Sequence, residues 1–130
     1  MSIRAIWDNE EKTIVRHIYE GKWTLEEYYG LIDAHRAMLK DLDYEVDIIN
    51  DLRNAGLAPS NMASAIKYAA RNAPKNEGIN VMVGANHYVK ALIDLVNRTA
   101  GVDITEVRHV TRLEDAYAMI ADYRVTTARR

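Results

Sequence analysis

A chain of 130 residues, 48% hydrophobic and 28% charged, has room for one folded domain with a sizeable core. A net charge of −2 argues against a nucleic-acid partner, and the absence of cysteine excludes disulfides, thiolate metal sites and cysteine nucleophiles. No apolar run approaches the ~20 residues of a membrane span, and the opening MSIRAIWDNEE is too polar for a signal peptide, so a cytoplasmic protein with no membrane span is expected.

The first predicted element is IRAIW, a strand with Ile3, Ala5 and Trp7 on one side. DNEEK is a polar turn, and TIVRHIYE, rich in β-branched residues, is a second strand that ends at Gly21 and completes a hairpin. Thr24 and Glu27 form a capping box that opens a helix with Leu25, Tyr28, Ile32, His35, Leu39 and Leu42 on one stripe. EVDIIN is the third strand and breaks at Asn50-Asp51. Ser60 or Asn61 caps a second helix, whose inward face is Met62, Ile66, Ala69, Ala70 and Ala73, and Pro74 ends it. INVMVG is the fourth strand. Asn86 caps a third helix with Val89, Leu92, Ile93 and Val96 inward, and Gly101 closes it. EVRHV is the fifth strand. Thr111 and Glu114 suggest a second capping box, opening a last helix with Leu113, Tyr117 and Ile120 inward. Residues 1–123 make the domain and 124–130 a frayed tail.

The order β-β-α-β-α-β-α-β-α predicts an α/β fold with a five-stranded mixed sheet, its first strand antiparallel and the rest parallel. Val46 and Ile48 line up with Ile79, Val81 and Val83 on one face, and Asp47, Ile49, Asn80 and Met82 take the other. Arg16 and Arg108 also interrupt apolar runs. A fully covered parallel sheet reads as continuous apolar strands, so helices are expected mainly on one face. The second face then either docks a partner or is solvated by long side chains. Ile48, Val81 and Val83 are expected beneath Ile32, Leu39, Val89 and Ile93.

Ligands of an open parallel sheet gather at the carboxyl ends of its strands. The polar residues expected at that rim are Asp51, Arg53, Asn54, Ser60, Asn86, His87, Thr111 and Arg112, with Trp23 beside them. Ser60, His87 and Asp51 have the side-chain types of a nucleophile, a base and its orienter, but no G-x-S-x-G surrounds Ser60. Ser60 and Asn86 are explained equally well as helix caps. No glycine-rich phosphate loop follows a strand, and His17, His35, His87 and His109 lie on four elements without ligand spacing, so neither a cofactor nor a metal is expected. His35, inside an apolar stripe, reads as a satisfied core histidine. Trp23 is either a hydrophobic staple on the first helix or a wall of the rim. Ser60 at a helix start is also a candidate phosphorylation site, with Arg53 as its counter-charge.

The hairpin followed by alternating helices and strands, with segments such as GKWTLEEYYGLIDAHRAML, VDIINDLRNA and INVMVGANHYVKALIDLV, resembles the STAS-domain superfamily over residues 3–122. That group includes the bacterial anti-sigma-factor antagonists and their SpoIIAA-like and Sec14-like relatives. The resemblance implies a non-enzymatic regulatory module that binds a protein partner or a second copy of itself through the rim. In the antagonists an Asp at the end of the third strand is followed by a phosphorylated serine. Here the Asp matches at Asp51, and the next serine in the chain is Ser60. The longer loop AGLAPSNM is more like the divergent relatives, which implies a second reading: a carrier or sensor of a small apolar or lipid-like ligand. A hydrolase-type enzyme ranks third.

Overall fold

The computed structural model describes residues 2–99 and 107–127. Its elements run β1 (Ile3–Trp7), β2 (Ile14–Gly21), α1 (Leu25–Leu39), β3 (Val46–Ala55), α2 (Met62–Arg71), β4 (Glu77–Val83), α3 (His87–Thr99), β5 (Val107–Val110) and α4 (Leu113–Thr126). The strands lie side by side in chain order. β1 is antiparallel to β2, and every later pair is parallel. The α/β class, the element order and the mixed sheet are those expected.

Sheet order explains where the helices go. Each parallel connection, β2-α1-β3, β3-α2-β4 and β4-α3-β5, advances in the same direction across the sheet. Right-handed crossovers that all step the same way put their helices on the same face. Tyr28, Leu31 and Ile32 of α1, Met62 and Ala65 of α2, and Val89 and Leu92 of α3 share one core with Tyr19, Leu52 and Met82. No strand follows α4 among the described residues. It folds back onto the opposite face, where Ala116 and Ile120 cover Ile14, Ile49, Ile79, Val81 and Val83.

This partition corrects the expected faces. Ile48 pairs with Asn80, and Ile49 with Val81, one residue out of the predicted alignment. Ile48, Val81 and Val83 are buried, but only Ile48 lies on the α1–α3 side. Asp47 and Asn80, expected to share an open face, lie on opposite ones. Asp47 is sealed beneath α4, where its Oδ2 accepts from Arg124 Nε at 2.8 Å and its Oδ1 from the Ile79 amide at 3.0 Å. Tyr117, expected inward, is partly exposed and donates its hydroxyl to Asp8.

Three local boundaries also differ. β3 continues through Asp51 to Ala55, because Asn54 and Ala55 find partners in Glu20 and Gly21 beyond a bulge in β3 itself, where the step from Asp51 to Asn54 faces the shorter step from Ile18 to Glu20. α4 runs through Thr126, past the expected tail boundary, and its Arg124 is anchored on Asp47 and the Thr13 carbonyl. Gly101, expected to end the third helix, falls outside the described residues.

Capping divides in the same way. The Thr24–Glu27 box forms in both directions, and Asn86 Oδ1 accepts from the Val89 amide at 2.9 Å. The second expected box does not form. Arg112 stands at the N-cap of α4 without a side-chain capping bond, and its guanidinium turns to Asp115. Ser60 does not cap α2. Asn61 stands at the cap in a left-handed conformation, φ 65°, without a side-chain bond. Thr24→Ala is therefore expected to cost about 1 kcal/mol, and Ser60→Ala nearly nothing. Equal losses in urea denaturation would overturn this assignment.

Candidate functional site

The expected rim residues separate into groups. The strand ends do converge: the Gly56 amide donates to the Gly21 carbonyl at 2.8 Å, and the Gly84 amide to the Val110 carbonyl at 2.9 Å. Gly84, at φ +73°, passes so close to Arg53 that a Cβ there would sit 3.0 Å from Arg53 Cγ. Asp51 is buried on the α4 face, where Arg53 grips it with Nε and Nη2 at 2.9 and 2.8 Å and Arg16 Nη1 reaches it at 3.2 Å. Burial pushes the Asp51 carboxyl up, but hydrogen bonds from Arg53 and the charges of Arg53 and Arg16 outweigh it and hold the carboxyl below its ordinary value. Arg53 is thus committed to Asp51. Asn54, Ser60, Asn86 and His87 are exposed. Among the described residues no hydrogen bond joins Ser60, His87 and Asp51, so a triad is not assembled.

Trp23 departs from this group. It is 6% exposed, packs its ring edge-on against Tyr19 at 5.1 Å between centroids, and lines a cavity between the sheet and α1–α3. Its burial in one core with Tyr28, four positions after the cap, fits the hydrophobic staple. Two buried side-chain nitrogens lack a hydrogen bond among the described residues. One is Arg16 Nε, still 2.9 Å from Asp8 Oδ1; the other is Trp23 Nε1.

The cavity has a volume of about 150 Å³. Its walls are largely apolar, with Ile32 from α1, Leu52 from β3, Met62 and Ile66 from α2, and Val89 and Leu92 from α3. The small inner face of α2, Ala69 and Ala70 above all, leaves this space unfilled, because alanine ends at Cβ where a leucine would reach the sheet. Arg36, Asn72 and Ala73 also line the cavity and are exposed, so it opens toward solvent between α1 and the α2–β4 turn.

A chain of polar side chains crosses the cavity floor, and its hydrogen bonds are directional. Asn50 donates Nδ2 to Asn80 Oδ1 at 2.8 Å. Its own carbonyl accepts from His17 Nδ1 at 3.1 Å and from the Tyr19 hydroxyl at 3.4 Å. His17, carrying its proton on Nδ1, presents Nε2 as an acceptor, and His35 Nδ1–H donates to it at 3.1 Å. His35 Nε2 then lies 2.5 Å from Glu77 Oε2, with one proton between them. Burial, reinforced by the charge of His35, lowers the His17 pKa to about 3, while its bond to Asn50 opposes the shift. Burial also pushes the Tyr28 hydroxyl pKa upward, with further contributions from Tyr29 and Glu77. The floor therefore disfavours added charge of either sign.

Both ring nitrogens of His17 and of His35 are used inside this chain, so neither offers a free lone pair to a metal or a nucleophile. Among the described residues no group of three or more His, Cys, Asp or Glu is placed to hold a metal ion. No helix there is long and apolar enough to cross a membrane. The predicted scatter of the four histidines thus misses one meeting, that of His17 with His35. A signal for it was present: a histidine on the inward side of β2 and another in the stripe of α1, the two elements joined directly. A scan of this chain against protein-family models finds no match, and a search of curated proteins finds none either.

Proposed function

We propose that this protein is a non-enzymatic, STAS-like regulatory module whose input is a small, uncharged, mostly apolar molecule held beneath α1–α3. The observation that carries the reading is the cavity of about 150 Å³, largely apolar on its walls and crossed on its floor by histidines and asparagines that bond to one another. An apolar cavity of about this volume is large enough for benzene, whereas drug-sized ligands occupy roughly 300 Å³ or more. The reading therefore favours a compact ring or a short branched chain over a lipid. Charged ligands are disfavoured by the same burial that depresses His17 and raises Tyr28.

A protein partner docking at the rim is the complementary reading, and it rests on Leu57 and Tyr88. They are 76% and 57% exposed on the β3–α2 loop and the first turn of α3. Ala58, next to Leu57, lines the cavity, as does Val89, next to Tyr88. An occupant of the cavity thus touches the immediate neighbours of both exposed side chains, which links ligand to partner.

The test is thermal melting with toluene, benzoate and benzylamine. Toluene is expected to raise the melting temperature of the wild type and not that of Ala69→Leu, which fills the space from α2. The two ions are expected to do less than toluene. No shift with toluene, or the same shift in the filled variant, would sink the proposal.

A further inference from the structure

Trp23 borders the cavity, and its Nε1 is buried without a hydrogen-bond partner among the described residues. A buried indole N–H normally finds an acceptor, and an unmet one is costly. A phenylalanine ring would pack against Tyr19 and staple α1 without that cost. The floor of the cavity does not supply the acceptor: its histidines and asparagines bond to one another, and the Tyr19 hydroxyl turns to Asn50. Leu52, Met62 and Ala65, in the same core as Trp23, carry no side-chain oxygen. The space that Trp23 lines is therefore where an acceptor from outside the chain would come to it. Its place along the cavity is fixed by the elements. Trp23 and Met62 line the end where α1 and α2 begin, whereas Arg36, Asn72 and Ala73 line the opening, where those helices finish.

We infer that the ligand is a small neutral carbonyl compound, a ketone or an aldehyde on a body the size of one six-membered ring, whose oxygen accepts from Trp23 Nε1 at the end of the cavity away from its opening. The inference rests on the reading of the cavity as a ligand site and adds the chemistry and the orientation of the occupant. A carbonyl oxygen only accepts, so it meets the indole N–H and asks nothing further of apolar walls. A hydroxyl could accept from the same N–H, but its own proton would then need an acceptor among hydrocarbon neighbours. A water molecule has two such protons and needs several polar partners to be held. A carboxylate would accept strongly, yet burial already holds the Tyr19 phenol, whose ring lies against Trp23, well above its ordinary pKa, and a second anion there meets the same penalty. The oxygen lies close to the rim as well, since Ala58, beside the exposed Leu57, lines the cavity with Trp23.

Cyclohexanone and methylenecyclohexane have the same ring and nearly the same shape, with an oxygen in one where the other has a CH₂ group, so they isolate the acceptor. The chain has two tryptophans, Trp7 and Trp23, of which only Trp23 lines the cavity. A ¹⁵N-labelled full-length chain therefore gives two indole N–H signals, assigned with Trp7→Phe. Bound cyclohexanone is expected to move the Trp23 indole proton downfield, as a new hydrogen bond does, and bound methylenecyclohexane is not; neither ring carries aromatic currents to confuse the shift. Calorimetry supplies the second readout. In Trp23→Phe the affinity for cyclohexanone relative to methylenecyclohexane is expected to fall roughly tenfold, the scale of one buried hydrogen bond. If cyclohexanone binds and the Trp23 signal does not move downfield, or if the affinity ratio is the same in the two proteins, the carbonyl assignment is overturned and the apolar cavity stands. If neither compound binds the wild type, the cavity reading and the carbonyl assignment fall together.

Discussion

Acid is expected to destabilise this protein from about pH 6.5 downward, well before its carboxylates are protonated. An unfolded His17 takes up a proton near its ordinary pKa of 6.5, and the folded one resists protonation until about pH 3. Between those values the unfolded chain holds one more proton than the folded chain. Stability then rises with pH, by about 1.4 kcal/mol per unit for one proton. The contribution is complete above pH 6.5 and is lost progressively as the pH falls toward 3, several kcal/mol in all. The cause is structural: His17 is buried between Asn50 and His35, and its Nε2 must stay unprotonated to accept from His35. Urea denaturation at a series of pH values between 7.5 and 4 measures the slope. His17→Gln, which keeps a donor and an acceptor but cannot titrate, is expected to be flatter by close to one proton. Identical slopes in the two proteins would show that His17 is not held neutral in the folded state.

Ile49→Ala is expected to cost about 2–5 kcal/mol, the range for truncating a fully buried isoleucine. Ile49 has no exposed surface and lies on the central strand under α4. The same substitution reports on which face it occupies. Ile49 belongs to one cluster with Ile120, so Ile49→Ala and Ile120→Ala are expected to be non-additive, with a coupling of about 0.5 kcal/mol or more. Ile49→Ala and Leu39→Ala act on opposite faces and are expected to add. Denaturation midpoints of the singles and doubles decide the matter. Strict additivity with Ile120→Ala, together with coupling to Leu39→Ala, would place Ile49 on the α1–α3 side.

Local chemistry accounts for the parts of the site that a linear reading misses. Asn50-Asp51 interrupts an apolar run, and along the chain such a pair predicts the end of a strand and the start of a functional loop. The polar pair marks no break: Asn50 faces the cavity floor while Asp51 faces two arginines on the other side, one residue apart on the same strand. A polar side chain in a strand signals a turn only when it lacks a buried partner, and partners such as Arg16, 35 positions earlier in the chain, are invisible in a local window. Ser60 is the first serine after Asp51. Its neighbour Asn61 takes the left-handed conformation at the helix start, so Ser60 has no capping role.

The sequence by itself determined the number, order and type of the elements, the hairpin, the Thr24–Glu27 and Asn86 caps, and the inward stripes of α1 and α3. Each depends on residues within a few positions of one another, through period, capping chemistry and turn residues. Tertiary structure alone decided the relative register of β3 and β4 and therefore which residues face which helices. Both sheet faces are largely buried, so a one-residue slip still leaves apolar groups on either side, and alternation does not choose between the alternatives. It also decided that α4 covers the second face, with Arg124 supplying a counter-charge for the buried Asp47. Finally, it brought His17, His35 and Glu77 together beneath a helix whose alanines leave a cavity. Those three residues span 60 positions of chain, and their meeting follows from the packing of α1 against β2 and β4 rather than from any spacing along the sequence.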